Sequence, residues 1–129
     1  MQDTRILVVD DHRDNVAIIR DFLAARGYQV AVAHSGEEAL RQYDETEPSL
    51  VLLDVMMPDL NGWEVCEAIK QRARGSHDVR VIMVTALGEW DDKREALRTG
   101  ADDYVTKPLD LVDLGERVER NLAIVREGR

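Results

Sequence analysis

Short apolar runs that stop on a polar residue recur along this chain, and they constrain its fold more than any other feature. Ile6-Leu7-Val8-Val9 stops at Asp10, and Leu50-Val51-Leu52-Leu53 stops at Asp54. Val79-Arg80-Val81-Ile82-Met83-Val84 stops at Thr85, and Asp103-Tyr104-Val105-Thr106 stops at Lys107. A fifth run, Tyr28-Gln29-Val30-Ala31-Val32, is shorter and alternates. Runs this short with little internal polarity suit strands covered on both faces, as in a parallel sheet.

The spacers carry helical periodicity. Val16, Ile19 and Leu23 recur at helical spacing with Phe22 beside them, and Gly27 sits where a helix stop belongs. Ser35 with Glu38 reads as a capping box before Ala39, Leu40 and Tyr43, and Pro48 follows the end of that helix. Val65, Cys66 and Ile69 mark a third helix closed near Gly75, and Ala96 with Leu97 a fourth closed at Gly100. Leu111, Leu114, Val118, Leu122 and Val125 mark a fifth, spanning about residues 110–127. Strand, helix, strand in this rhythm is the signature of βαβ units, and parallel strands require right-handed crossovers. The expected fold is a doubly wound α/β domain with a five-stranded parallel sheet.

With 129 residues the chain suits one domain over 1–129, its core running from about 5 to 122. That size can bury enough surface to fold without a disulfide or structural metal. The single cysteine, Cys66, allows no intrachain disulfide and fits a reducing compartment. No segment approaches a membrane span and the N-terminus lacks a signal-peptide pattern, so a cytoplasmic protein with no membrane partner is expected. A net charge of -9 argues against direct binding of nucleic acid, whose phosphates need clustered Lys and Arg.

The chemistry falls on the strand ends. In an open parallel sheet the carboxyl ends of the strands line one edge, where ligands bind. If the first, third, fourth and fifth strands are neighbours, Asp10, Asp11, Asp54, Thr85 and Lys107 converge there. Two carboxylates about 4 Å apart repel by roughly 4 kcal/mol at an effective dielectric of about 20. A hard divalent cation relieves this, and Mg²⁺ takes one or two carboxylates together with phosphate oxygens. Lys107 adds a second positive charge, and the combination suits a dianionic phosphoryl group. A lone Asp after a strand is ordinarily a turn former or helix cap; only the joint pattern points to function.

Four blocks now carry a resemblance: Leu7-Val8-Val9-Asp10-Asp11, Leu52-Leu53-Asp54 through Pro58-Asp59-Leu60-Asn61-Gly62, Val84-Thr85-Ala86, and Gly100-Ala101-Asp102-Asp103-Tyr104-Val105-Thr106-Lys107-Pro108. Together they resemble the receiver domain of bacterial two-component response regulators, across about Arg5 to Leu122. The resemblance implies the flavodoxin-like (βα)5 receiver fold with strand order 2-1-3-4-5. It implies a signalling switch rather than an enzyme acting on a separate substrate. Asp54 matches the phosphoacceptor, served by a sensor histidine kinase or a histidine phosphotransfer protein. Asp10 and Asp11 match the acidic pair that holds Mg²⁺, with Mn²⁺ as a substitute, and Asp54 and the backbone carbonyl of Met56 complete the ligands. Thr85 matches the hydroxyl that meets the phosphoryl oxygen, Lys107 the cation that pairs with it, and Tyr104 the switch aromatic. Lys107-Pro108 matches a cis peptide. The face built from the fourth helix, fifth strand and fifth helix is the expected switching and homodimer surface.

Other readings compete. A small-molecule flavodoxin-like domain lacks a phosphate-cradling loop, because Asp10-Asp11-His12-Arg13-Asp14-Asn15 holds no glycine or hydroxyl nest. An aspartyl phosphatase calls for a second carboxylate two residues past the nucleophile, where Met56 stands. A degenerate receiver used only for docking or dimerisation would lack some site positions, and all are filled here. Met56 and Leu87, two past Asp54 and Thr85, are apolar, which predicts slow self-dephosphorylation. Met56, Met57 and Met83 read as packing or loop residues, Cys66 as a core residue, and Trp63 and Trp90 as helix-start covers. His12, His34 and His77 show no ligand spacing, and His12 reads as solvated. The fifth helix could lead into an output domain outside this sequence.

Overall fold

The computed structural model describes residues 4–55, 59–73, 79–85 and 100–127. The strands are β1 (Arg5–Val9), β2 (Gln29–Ala33), β3 (Leu50–Asp54), β4 (Arg80–Thr85) and β5 (Asp103–Thr106). The helices among the described residues are α1 (Arg13–Ala25), α2 (Gly36–Thr46), α3 (Gly62–Ala73) and α4 (Leu111–Glu127). Helix α4 is the fifth helix expected from the sequence. The expected fourth helix, around Ala96 and Leu97, lies outside the described residues, as do the closure near Gly75 and Met56, Met57, His77, Leu87 and Trp90.

The strands form one parallel sheet in the order β2-β1-β3-β4-β5. Alternation along each strand divides the core in two, because successive side chains point to opposite faces. Leu7, Val9, Val51, Leu53, Val81 and Met83 meet α2 and α3 through Ala39, Tyr43, Val65, Cys66 and Ile69. Ile6, Val8, Leu50, Leu52, Ile82 and Val84 meet α1 and α4 through Val16, Ile19, Leu23, Leu114, Val118 and Leu122. Every residue of the central strand β3 is buried. The edge strand β2 is mostly half-buried, which explains its weaker apolar signal.

Some bounds differ from the sequence reading. Strand β2 starts at Gln29, not Tyr28, because Tyr28 still belongs to the turn that ends α1 and bonds back to Leu23. Strand β4 starts at Arg80, and Val79 is a buried lead-in residue. Gly27 follows α1 with a φ of 96°, a left-handed conformation that costs glycine nothing. At α2 the Ser35 hydroxyl accepts the Glu38 N–H, while the Glu38 carboxylate accepts the His34 N–H, one residue earlier than a strict capping box.

Candidate phosphoryl and metal site

Strand register brings the polar ends together. Val9 pairs with Leu53, so Asp10 and Asp54 end neighbouring strands side by side. Asp54 pairs with Val84, and Thr85 pairs with Thr106. Lys107 leaves β5 by donating its N–H to the Thr85 carbonyl at 2.8 Å. Asp10, Asp54 and Thr85 are 4%, 3% and 3% exposed, so these three side chains lie almost wholly beneath the surface. The Lys107-Pro108 bond is cis.

The charges are close. Lys107 Nζ stands 3.3 Å from Asp54 Oδ1. Asp10, Asp11, His12 and Asp54 each bring one potential ligand atom into a cluster whose members lie within 4.8 Å of one another. Three carboxylates and an imidazole at this spacing fit a divalent cation that accepts oxygen ligands. The Thr85 hydroxyl lies 3.5 Å from the Val105 carbonyl, at the base of β5. Tyr104 is half-buried and packs against the α2/α3 side of the core. The Met56 carbonyl lies outside the described residues.

The loop after Asp54 is tightly held. Gly62 N donates to the Val55 carbonyl at 2.7 Å. A Cβ at Gly62 would overlap the Asp54 carbonyl oxygen and stand 2.8 Å from Val55 Cα. Asn61 and Glu64 cap α3 reciprocally, Asn61 Oδ1 accepting the Glu64 N–H at 2.9 Å and Glu64 Oε1 the Asn61 N–H at 3.2 Å. Asp59 reaches across to α2 and accepts the N–H groups of Gly36 at 2.9 Å and Glu37 at 3.0 Å. The N–H bonds from Glu37 and Gly36 lower the Asp59 carboxyl to about 2. Sequence reasoning missed both devices, although Asn61-x-x-Glu64 is a readable capping pattern. His12, read from the sequence as solvated, is 67% exposed, and its Nδ1 lies 3.2 Å from both Asp10 Oδ1 and Asp11 Oδ1.

The family model described as the response regulator receiver domain matches residues 6–119. The chain belongs to the response regulator receiver family. It is 45% identical over 117 residues to the protein named "Probable transcriptional regulator ycf27" of Pyropia yezoensis, covering 91% of this chain and 46% of that protein. It is 41% identical over 115 residues to the alkaline phosphatase synthesis transcriptional regulatory protein PhoP of Bacillus subtilis, covering 89% and 47%. This receiver thus spans about half the length of the curated relatives it matches. The CheY-like receiver domain structure from Methanospirillum hungatei superposes with a TM-score of 0.91 at 29% identity, covering 98% of each chain. The receiver is therefore a module of two-component signalling, the histidine-kinase-linked class to which its family belongs. No described helix is long and apolar enough to cross a membrane.

Proposed function

We propose that Asp54 accepts a phosphoryl group from a phosphohistidine of a sensor kinase or phosphotransfer protein, and that the modified receiver controls an output. The observation that carries this reading is the buried Asp54 carboxylate, which Lys107 Nζ meets at 3.3 Å beside the acidic pair. An Asp54 oxygen attacks phosphorus, a P–O bond forms, the P–N bond breaks and the donor imidazole leaves. Asp54 sits at the end of a fully buried strand, which fixes the nucleophile for in-line attack. Lys107 neutralises charge on the transferred group and keeps its place through the bond of its N–H to Thr85. Thr85, ending β4 beside it, offers its hydroxyl to a phosphoryl oxygen in exchange for the long contact to Val105. Asp10, Asp11, Asp54 and the Met56 carbonyl would hold Mg²⁺, which when bound offsets repulsion between carboxylates and phosphoryl oxygens.

Tyr104 and Thr85 share the route by which this change reaches the surface of β5 and α4. That surface carries Arg117, paired with Asp103 at 2.8 Å and Asp113 at 3.1 Å. These half-exposed pairs are the groups that a homodimer would exchange between copies. The relatives named as transcriptional regulators favour control of transcription as the output of such a protein, and a cytoplasmic setting is part of the same proposal.

The test is incubation with a small acyl phosphate, with and without Mg²⁺, followed by intact mass. One Mg²⁺-dependent phosphoryl adduct, lost in Asp54→Asn, is expected. An adduct that survives Asp54→Asn, or none at all, would sink the reading. Native mass spectrometry of the same samples reads the dimer.

A further inference from the structure

The junction between β2 and α2 holds both halves of the acidic site. On one side Asp10, just past β1, donates its N–H to the Ala33 carbonyl at 3.2 Å. On the other, Asp59, in the loop that follows Asp54, accepts the N–H groups of Gly36 at 2.9 Å and Glu37 at 3.0 Å. Junction and loop are in close contact, since a Cβ at Gly36 would stand 2.7 Å from Leu60 Cβ. From Asp59 the chain runs through Leu60 and Asn61 to Gly62, whose N–H bonds the Val55 carbonyl at 2.7 Å. Gly62 sits so close to the Asp54 carbonyl that a Cβ would overlap it. One short segment, Ala33 to Glu37, thus fixes Asp10 through its backbone and Asp54 through Asp59. Helix α2 also has a cap of its own, Ser35 Oγ, which accepts the Glu38 N–H at 3.1 Å.

We infer that Asp59 is a positioning residue for the cation site: by tying the loop after Asp54 to the junction that holds Asp10, it keeps the carboxylates at the spacing Mg²⁺ requires and sets the preference for Mg²⁺ over Ca²⁺. The inference rests on the reading of Asp10, Asp11 and Asp54 as a cation site and names what tunes it. Like charges gathered within 4.8 Å push apart, so their spacing has to be held from outside the cluster. Mg²⁺ demands near-ideal octahedral geometry with oxygens at about 2.1 Å, whereas Ca²⁺ accepts a larger and more variable oxygen set. A loosened brace therefore penalises Mg²⁺ more than Ca²⁺. Asp59 is itself exposed, so removing its carboxylate opens no cavity in the core.

The experiment titrates metal-free wild type, Asp59→Ala, Asp59→Asn and Ser35→Ala with Mg²⁺ and with Ca²⁺ by calorimetry, and reads the Tm of each. Asp59→Ala should weaken Mg²⁺ binding by roughly tenfold, the scale on which groups that orient metal ligands act, and Ca²⁺ binding by clearly less. Asp59→Asn keeps one acceptor oxygen for one of the two N–H groups. Its Mg²⁺ affinity should fall between those of wild type and Asp59→Ala, and it gives the same reading should alanine prevent folding. Ser35→Ala removes a capping bond from the same helix without touching the loop, so it should lower Tm yet keep the wild-type ratio of Mg²⁺ to Ca²⁺ affinity. An unchanged ratio in the Asp59 variants, or an equal fall in Ser35→Ala, overturns the inference: Asp59 is then a helix cap only, and the cation site stands. If the wild type binds neither ion, the cation-site reading fails and the inference with it.

Discussion

Replacing Asp10 by Asn should stabilise the metal-free protein. Asp10 is 4% exposed and shares its pocket with Asp11 and Asp54, their nearest ligand atoms within 4.8 Å. At 4.8 Å two unit negative charges repel by about 3.5 kcal/mol at an effective dielectric of 20, and by about 1 kcal/mol at that of water. Asn keeps the Oδ1 acceptor for the His12 N–H, so the cap geometry survives while one charge is removed. The attraction of Asp10 to His12 at 3.2 Å, and its more distant attraction to Lys107, is lost and offsets part of the gain. A net gain of about 1–3 kcal/mol follows, or a rise of roughly 3–9 °C in Tm for a domain of this size. The assay is thermal unfolding by circular dichroism in EDTA at low ionic strength. Saturating Mg²⁺ should then close or reverse the gap, because an ion at about 100 times its Kd adds about 2.7 kcal/mol to the protein that binds it. The reasoning is refuted if Asp10→Asn is less stable without metal, or if Mg²⁺ raises both proteins equally.

Gly62→Ala should cost about 1–3 kcal/mol by denaturant unfolding, because the new methyl overlaps the Asp54 carbonyl; it should also slow phosphorylation by displacing the nucleophile. Asp59 is held at about 2, below its ordinary 3.8, so it stabilises the folded state at pH values above 3.8 and ceases to do so as pH falls towards 2. The stability gap between the wild type and Asp59→Asn, read by urea unfolding, should therefore shrink between pH 5 and pH 2; a gap that widens would count against the cap. Phosphorylated protein should lose its phosphoryl group slowly, and Met56→Asn with Leu87→Glu should shorten its half-life by supplying polar groups for water; an unchanged half-life would contradict this.

Much of the site could be read in advance because its residues end strands. A buried strand needs no Asp, so Asp10 and Asp54 stood out against their apolar runs, and the structure buries both in one cluster at the sheet edge. The missed features are of a different kind. Asp59 caps a helix 22 residues before it, a contact that no local pattern announces. His12, by contrast, is solvated as its sequence context suggests, its ring 67% exposed while its Nδ1 stands 3.2 Å from the carboxylates of Asp10 and Asp11. Tyr28 carried the apolar character of a strand but is held by the turn that closes α1.

The sequence by itself determined the layered class of the protein and the chemical groups it could bring to one edge. Burial on two faces imposes continuous apolar runs, burial on one stripe imposes helical spacing, and both are local. Only the tertiary structure decided which strands are neighbours and at what distances the groups meet. The order β2-β1-β3-β4-β5 depends on crossovers that pack helices on either face. Through it, residues 44 apart such as Asp10 and Asp54 become neighbours, and Lys107 comes within 3.3 Å of Asp54. Electrostatic energy varies inversely with such distances and with burial, so the chemistry of the site is a property of the assembled sheet.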